Sequence, residues 1–282
     1  MADMTDSIAA RLRLPLGAVD LQSIDPHDTP GFDGGKATGK RALAALGPTL
    51  AEVQERLYAE SRAGGTRRIL VVLQGMDTSG KGGVVRHSLA ALDPQGVQLA
   101  SFKAPTKQEL RHDFLWRINP HLPTAGMIGV FDRSHYEDVL IARVRALAKV
   151  AEIERRYDAI NDFEKALVDD DVTVVKCMLH ISNEEQKARL RARLDNPDKH
   201  WKFNPGDIDE RAKWDSYQEA YERALERCNT SAAPWYVVPS DRKWYRNWAI
   251  ATLLLEHLQL LAPQWPIADF DVEQQKVRLA GS

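Results

Sequence analysis

The chain has 282 residues, of which 44% are hydrophobic and 28% are charged, and its formal net charge is −2. This composition is that of an ordinary globular protein long enough for one large α/β domain. It gives no general electrostatic reason to bind nucleic acid, so any basic site must be local. The two cysteines, Cys177 and Cys228, fit no metal-binding spacing, and no apolar run of about 18 residues occurs. We therefore expect a cytoplasmic protein that contacts neither nucleic acid nor a membrane.

The N-terminal residues 1–40 are rich in Asp, Pro and Gly and show no sustained periodicity, which predicts an irregular arm. Within it, residues 34–40 satisfy the bare pattern G-x-x-x-x-G-K, but no apolar strand precedes them. We interpret them as a loop that enters the next helix; the alternative is that this segment itself contacts phosphate. Leucines at helical spacing follow over residues 41–63, and the pair Gly47-Pro48 predicts that the main helix begins only at Thr49.

The strongest motif is the stretch ILVVLQGMDTSGKGGVVR at residues 69–86. Its first six residues predict a buried parallel strand, a glycine-rich loop follows, and residues 84–92 predict a helix. This context favours a phosphate-binding loop, in which backbone N–H groups, a helix N-terminus and Lys81 bind phosphate oxygens. The alternative is a tight turn that happens to contain a lysine. The residues expected to bind phosphate here are Gly75, Thr78, Ser79, Gly80, Lys81, Gly82, Gly83 and Arg86.

The loop departs from the usual pattern at one position. Gly82 stands where a serine or threonine normally follows the lysine and binds Mg²⁺. The carboxylate of Asp77 lies inside the loop instead. Because an acid that faces phosphate is repelled unless a cation lies between them, Asp77 is a candidate metal ligand, with Thr78 or Ser79 as possible helpers.

Further apolar runs and helical segments alternate along the rest of the chain, which predicts a parallel sheet with helices on both faces. The domain is expected to span residues 41–262, with an unpatterned tail at 263–282. The predicted strands are 97–102, 126–131, 172–179 and 235–238, and the predicted helices are 107–118, 136–148, 152–168 and 246–261.

The second signal is Asp132, which ends an apolar strand about fifty residues after the loop. In a parallel sheet its carboxylate would lie beside the loop, where nucleotide-binding domains hold Mg²⁺. The alternative is an Asp that caps the next helix. Arg133 could bind the transferred phosphoryl oxygens, or be a surface arginine. Lys103, after the second strand, would face the same crevice, or be a solvated loop lysine.

The third signal is a basic helix that begins at Ser182, with Glu185 completing a capping box. It carries several lysines and arginines, and a second charged helix extends from Asp207 to about Cys228. The functional interpretation is a lid over polyanionic phosphate at about residues 182–228, and the alternative is a solvated helix face. The lid cations expected to bind phosphate are Arg189, Arg193, Lys199 and Lys202.

Three sequences together resemble the polyphosphate kinase 2 family in order and spacing: GMDTSGKGG at 75–83, FDRSHYED at 131–138 and KHWKF at 199–203. The similarity extends over about residues 19–261. It implies a P-loop kinase fold like that of thymidylate kinases, with inorganic polyphosphate as the phosphoryl donor. It also implies that family members are homo-oligomers. The form of the second sequence resembles the subgroup that accepts AMP as well as ADP, and Glu137 falls where subgroups differ.

The resemblance further implies roles for individual residues. Asp77 and Asp132 would organise Mg²⁺, while Lys81, Arg133 and a lid arginine matching Arg189 or Arg193 would hold the polyphosphate. The catalytic residues expected are thus Asp77, Lys81, Asp132 and Arg133.

These observations predict reversible, Mg²⁺-dependent phosphoryl transfer between polyphosphate and AMP or ADP, giving ADP or ATP. No strong general base is needed, because the accepting phosphate is already anionic; positioning and charge neutralisation lower the barrier. One alternative is an ATP-dependent nucleoside monophosphate kinase, against which Asp77 and Gly82 argue. Another is a nucleotide-binding switch without phosphoryl transfer, which would need no dense cationic lid.

Overall fold

The computed structural model describes residues 7–282, in which five strands form a parallel sheet. The strand order is β2-β3-β1-β4-β5, so the first strand is central and lies between β3 and β4. This arrangement confirms the predicted α/β fold, and each strand lies within two residues of its predicted bounds. The strands are β1 (Arg68–Gln74), β2 (Val97–Ser101), β3 (Ile128–Asp132), β4 (Val172–His180) and β5 (Trp235–Pro239).

Helices cover both faces of this sheet, as the buried strands require. None of the helices in residues 7–282 has the length and hydrophobicity needed to cross a membrane. The α-helices are α1 (Ile8–Leu12), α2 (Lys36–Arg62), α3 (Lys81–His87), α4 (Ile141–Val144), α5 (Val150–Asp169), α6 (Asn183–Leu194), α7 (Gly206–Arg211), α8 (Trp214–Arg227), α9 (Lys243–Leu261) and α10 (Val272–Ala280).

The side chains of β1 alternate between two hydrophobic cores. Leu70 and Val72 pack on the face covered by α5 and α8. Ile69, Val71 and Leu73 pack on the opposite face, which α2 and α9 cover. Because successive side chains of a strand point to opposite faces, one apolar run serves both cores and places the loop after β1 at the centre of the sheet edge.

Helix α2 differs from the expectation that its main part begins at Thr49. It is continuous from Lys36 to Arg62 with Pro48 inside it. The missing proline N–H costs one helical hydrogen bond, but Leu50 and Leu57 are buried in the core shared with α9. Tertiary packing therefore outweighs the local break.

The prediction of a helix at residues 107–118 is wrong. The segment forms turns, with a single 3₁₀ turn at Glu109–Arg111 and extended backbone at His112. The Thr106 hydroxyl accepts a bond from the Glu109 N–H (3.2 Å) and the Asp113 carboxylate accepts one from the Leu115 N–H (3.0 Å). Such side chain-to-backbone bonds compete with helix formation.

Two other helical predictions are corrected in part. The segment predicted at 136–148 is a 3₁₀ turn, His135–Asp138, followed by the short α4. The second lid helix divides into α7 and α8 near Lys213, which has a non-helical backbone.

The two ends of the described chain are more ordered than predicted. The arm contains α1, whose first N–H groups, those of Ile8 and Ala9, donate to the Glu256 carboxylate of α9 over 2.9 and 2.7 Å. The tail contains α10, which begins at an Asp271 cap and buries none of its residues. The arm prediction for residues 1–6 lies outside the described residues.

Candidate active site

The site lies at the carboxyl edge of the central strands. Asp132 at the end of β3 is paired in register with Leu73 of β1, and the Arg133 N–H donates to the Leu73 carbonyl over 3.1 Å. The glycine-rich loop starts two residues after Leu73. The loop and the end of β3 are therefore neighbours, as the positions of these strands in a parallel sheet require.

Backbone geometry explains why the loop needs glycine at two positions. Gly75 has φ +150° and Gly80 has φ +109°, values that other residues rarely adopt. A Cβ atom on Gly80 would also lie 1.8 Å from a terminal nitrogen of the Arg246 guanidinium. Thr78 has φ +65°, so the loop also holds one non-glycine residue in the left-handed region.

Lys81 is buried beneath the loop at the start of α3. Its Nζ atom donates to the Gly75 carbonyl over 2.7 Å. Burial first, and the neighbouring Arg133 second, lower the pKa of Lys81. A buried cation at this position favours binding of an anion at the loop.

Several polar groups of the loop are left free to bind a ligand. Within residues 7–282, the N–H groups of Thr78, Gly80 and Lys81 donate to no acceptor. The Thr78 and Ser79 hydroxyl groups are buried and lack a hydrogen-bond partner in the same range. Buried polar groups normally have partners, and converging free N–H groups form an anion site, so this loop fits phosphate.

Arg133 connects the loop to the end of β3. Its guanidinium lies 3.1 Å from Oδ1 of Asp77, and both side chains are partly exposed. The Arg133 backbone has φ +66°, a strained conformation directly after Asp132. Residues in such conformations concentrate at functional sites, where the surrounding structure holds them.

The two carboxylates of the site fit a cation that also binds phosphate. The Asp132 carboxylate makes no hydrogen bond or ion pair within residues 7–282, and Asp77 is partly exposed beside it. No cluster of three or more potential metal-binding side chains occurs in that range. This donor set suits a hard cation such as Mg²⁺, which completes its shell with phosphate oxygens and water.

A second group of side chains lies near Asp77 and Arg133. It comes from the 3₁₀ turn His135–Asp138 and from helices α7 and α8. Burial raises the pKa of Glu137, and Arg133 opposes that shift. Burial and then the Asp77 charge raise the pKa of Asp207 in α7, and burial and then Glu137 raise that of Tyr221 in α8. Sequence reasoning missed Asp207 and Tyr221, because no motif separates them from other lid residues.

The segment predicted to be a lid contacts the glycine-rich loop through α6. The predicted Ser182 cap is confirmed, since its hydroxyl accepts a bond from the Glu185 N–H over 3.1 Å. Gln186 donates to the Asp77 carbonyl over 3.1 Å. One terminal nitrogen of Arg189 donates to two carbonyls of the loop, and the other donates to two carbonyls of the turn after β5. Its Nε donates to the Glu185 carboxylate. Arg189 is therefore a clamp between two loops, and its direct contact with phosphate stays a prediction.

The remaining predicted cations lie around the mouth of the site. Arg193 donates to the Lys202 carbonyl over 3.0 Å, and partial burial and then the Arg86 charge lower the pKa of Lys202. The charge of Lys199 also lowers the pKa of Lys202. The four cations Arg86, Arg193, Lys199 and Lys202 therefore lie in one region. Lys103 is exposed after β2, and its side chain forms no hydrogen bond or ion pair within residues 7–282.

Sequence reasoning missed a group of cations opposite the lid. A cavity of about 750 Å³ lies between the loop and the start of α9. Arg246 is buried on its wall and donates to the Ser79 carbonyl over 2.8 Å. Burial first, and Arg189 second, lower the pKa of Arg246. The rule that selected Asp132, a charged residue after a strand end, also selects the turn after β5. The other cations on this cavity are Lys36, Lys40, Arg242 and Lys243.

Comparison with known proteins agrees with this geometry. Residues 34–265 match the family model described as polyphosphate kinase 2. An AMP/ADP-polyphosphate phosphotransferase of Meiothermus ruber is 48% identical over 252 residues, covering 89% of this chain and 93% of that protein. An ADP-polyphosphate phosphotransferase of Rhodopseudomonas palustris is 40% identical over 229 residues, covering 77% of this chain and 78% of that protein. The crystal structure of polyphosphate kinase 2 from Arthrobacter aurescens matches with a TM-score of 0.96 at 54% identity, covering 100% of this chain and 99% of that one.

Proposed function

Because the chain belongs to the polyphosphate kinase 2 family, we propose that it transfers phosphoryl groups from inorganic polyphosphate to AMP and to ADP. It is a phosphotransferase. The observation that carries the proposal is the convergence of Lys81, Asp77 and Asp132 at the ends of β1 and β3, beside a loop with free N–H groups. The relatives named for AMP/ADP and for ADP support both acceptors.

The reaction joins one oxygen of the acceptor's terminal phosphate to the terminal phosphorus of the polyphosphate. The bond from that phosphorus to the rest of the chain breaks, and the shortened polyphosphate keeps the electron pair. We infer that Lys81 and the loop N–H groups hold the donor end, while Arg133 neutralises charge on the transferred group. No proton has to be removed, because the attacking oxygen is already anionic.

Family membership implies a divalent metal, which we propose to be Mg²⁺ held by Asp77 and Asp132. When bound, it would neutralise phosphate charge and orient the donor and acceptor oxygens. The Arg133–Asp77 pair at 3.1 Å would then keep the arginine beside that position. Glu137, which lies close enough to Arg133 and Lys81 for their charges to affect its pKa, is proposed to influence which nucleotide is accepted.

Three further expectations remain predictions: a homo-oligomer, a cytoplasmic location and no interaction with nucleic acid. The two alternatives, an ATP-dependent nucleoside monophosphate kinase and a non-catalytic switch, are not favoured by the family match.

The acceptor assignment is tested by incubating purified protein with Mg²⁺, long-chain polyphosphate and either AMP or ADP, with ATP absent. Chromatography should show ADP and then ATP from AMP, and ATP from ADP, once contaminating adenylate kinase is excluded. ATP formation from ADP alone would contradict the AMP part of the proposal. No product from either nucleotide would contradict the whole proposal.

A further inference from the structure

The cavity beside the glycine-rich loop is lined by six lysine or arginine residues and only two acidic residues. Its loop side includes Thr78, whose buried hydroxyl lacks a partner within residues 7–282. Its other walls come from the first turn of α2 and from the turn and helix after β5. The charged residues on these walls are Lys36, Lys40, Glu185, Arg189, Asp241, Arg242, Lys243 and Arg246.

The two acids of this cavity are already engaged. Glu185 lies 2.7 Å from Nε of Arg189. Asp241 accepts bonds from the N–H and hydroxyl of Ser182 over 2.9 and 2.7 Å, and lies 3.2 Å from the His27 ring. The cavity therefore keeps a net positive charge after its internal pairs are formed.

Four of the cations lack such partners. Within residues 7–282, Lys36, Lys40, Arg242 and Lys243 form no ion pair and donate no side-chain hydrogen bond. Partial burial and then Arg189 lower the pKa of Lys243, and Lys36 adds to this shift. Like charges held together are unfavourable unless an anion lies among them.

A close helix contact brings the two lysines of α2 to this cavity. Lys36 and Lys40 are four residues apart and so share one face of the helix. Gly39 between them packs on Trp244 of α9, where a Cβ atom would lie 2.1 Å from Cε3 of the indole. The glycine of the G-x-x-x-x-G-K sequence at residues 34–40 thus permits helix packing. The lysines of that sequence face the phosphate-binding loop across the cavity.

We propose that Lys36, Lys40 and Lys243 bind the phosphoryl groups of polyphosphate that lie beyond the one being transferred. This cavity then sets the preference for long donor chains over short ones. The inference rests on the proposed function and extends it to the remote part of the donor. A linear polyanion carries a charge on every phosphoryl group, so it matches a set of unpaired cations that line one cavity beside the loop.

The test compares Lys36→Gln/Lys40→Gln with wild type, using ADP as the acceptor and polyphosphates of graded length as donors. The KM for long chains should rise by roughly tenfold or more, since two charge-assisted contacts are lost. The KM for tripolyphosphate and kcat should each change less than about twofold, because that donor end lies on the loop. Direct titration with long-chain polyphosphate should also show a weaker dependence of affinity on salt, as fewer cations contact the chain.

Two further variants serve as controls. Lys165→Gln/Lys276→Gln removes two exposed lysines away from the cavity and should behave as wild type. Lys36→Arg/Lys40→Arg keeps both charges and should restore affinity for long chains. The inference is overturned if the glutamine variant has an unchanged KM for long chains, or loses affinity equally at all lengths, while wild type is active. An inactive wild type would instead overturn the proposed function.

Discussion

Asp132 stands at the boundary between a strand and a loop. The sheet fixes its backbone next to Leu73, and its carboxylate is free of partners within residues 7–282. Asp77 reaches the same region from the loop, where it lies 3.1 Å from Arg133. The two acids therefore occupy different environments, but both lie near enough to Lys81 for their charges to affect its pKa.

If both acids hold the metal, Asp77→Asn and Asp132→Asn should each lower kcat by at least about a hundredfold, because an amide supplies no charge to the cation. Thermal unfolding should stay within a few degrees of wild type. Titration with Mn²⁺, followed by paramagnetic resonance, should show weaker binding in both variants. Near-normal turnover and metal affinity in both would refute the assignment.

Lys176 shows what a single charge does in the core. It is fully buried, and its Nζ donates to Glu164 (2.5 Å), the Cys228 carbonyl (2.7 Å) and the Tyr136 hydroxyl (2.9 Å). Tyr136 lies three residues after Arg133. The network thus supports the segment that carries Asp132.

Replacement of Lys176 by Met should lower the free energy of unfolding by about 3–5 kcal/mol, because it removes the lysine cation that pairs with the buried Glu164 carboxylate. Lys165→Met breaks the exposed pair with Asp169 and should cost less than about 0.5 kcal/mol. Denaturant unfolding of both variants measures the difference. Equal losses would show that the buried network is not needed for stability.

Single residues differ in how far the sequence could assign them. Asp132 was found because a strand end predicts its position. The clamp formed by Arg189 was not, since its acceptors include carbonyls of Ser79 and Ser240, which come together only in the fold. The chain pattern showed the charge of this arginine but could not show its partners.

At the scale of elements, α2 shows most clearly where local signals fail. Pro48 predicted a break that packing against α9 overrides. The helix begins at Lys36, inside the segment interpreted from sequence as a loop. Near its start, Gly39 packs on Trp244, a residue more than 200 positions away, and no local sequence pattern predicts such a contact.

Gly39→Ala should destabilise the protein by about 1–3 kcal/mol, because the new methyl group would overlap the Trp244 ring. Gly47→Ala, in the same helix, is the matched control. Its Cβ would meet only the Ala91 Cβ at 3.4 Å, so the gain in helix propensity should leave stability unchanged or raised by up to about 1 kcal/mol. Urea unfolding distinguishes the two. A stabilising Gly39→Ala would contradict the packing argument.

At the scale of the whole molecule, the two cores on either side of the sheet hold the site elements in place. Alternation of strands and helices predicted this architecture, because a parallel sheet must be covered on both faces. The helix prediction for residues 107–118 was wrong. Only Phe114 and Ile118 of this segment are buried apolar residues, and local bonds from side chains to the backbone stabilise turns instead.

On the face of the sheet that α2 and α9 cover, His257 makes the free energy of unfolding depend on pH. Its Nδ1 lies 2.8 Å from the Leu253 carbonyl and its Nε2 lies 3.0 Å from the Tyr236 hydroxyl. Burial lowers the pKa of His257 below its ordinary value of 6.5. The unfolded chain therefore binds a proton more readily, and the stabilisation by neutral His257 is present above pH 6.5 and lost as pH falls towards the folded pKa.

We expect the free energy of unfolding of wild type, relative to His257→Gln, to fall as pH is lowered from about 7 to about 5. The slope should be up to about 1.4 kcal/mol per pH unit, because one proton is linked to unfolding. Urea unfolding at several pH values measures this difference. A difference that is constant over the range would contradict the lowered pKa.

Transfer of a radioactive label shows whether polyphosphate is the phosphoryl donor. Polyphosphate labelled with ³²P is incubated with AMP, Mg²⁺ and the protein, and ATP is absent. The account predicts that the label appears in the new terminal phosphate of ADP, and that Asp132→Asn transfers none. Label that stays in polyphosphate, while unlabelled ATP phosphorylates AMP in a parallel incubation without polyphosphate, would show that ATP is the donor instead.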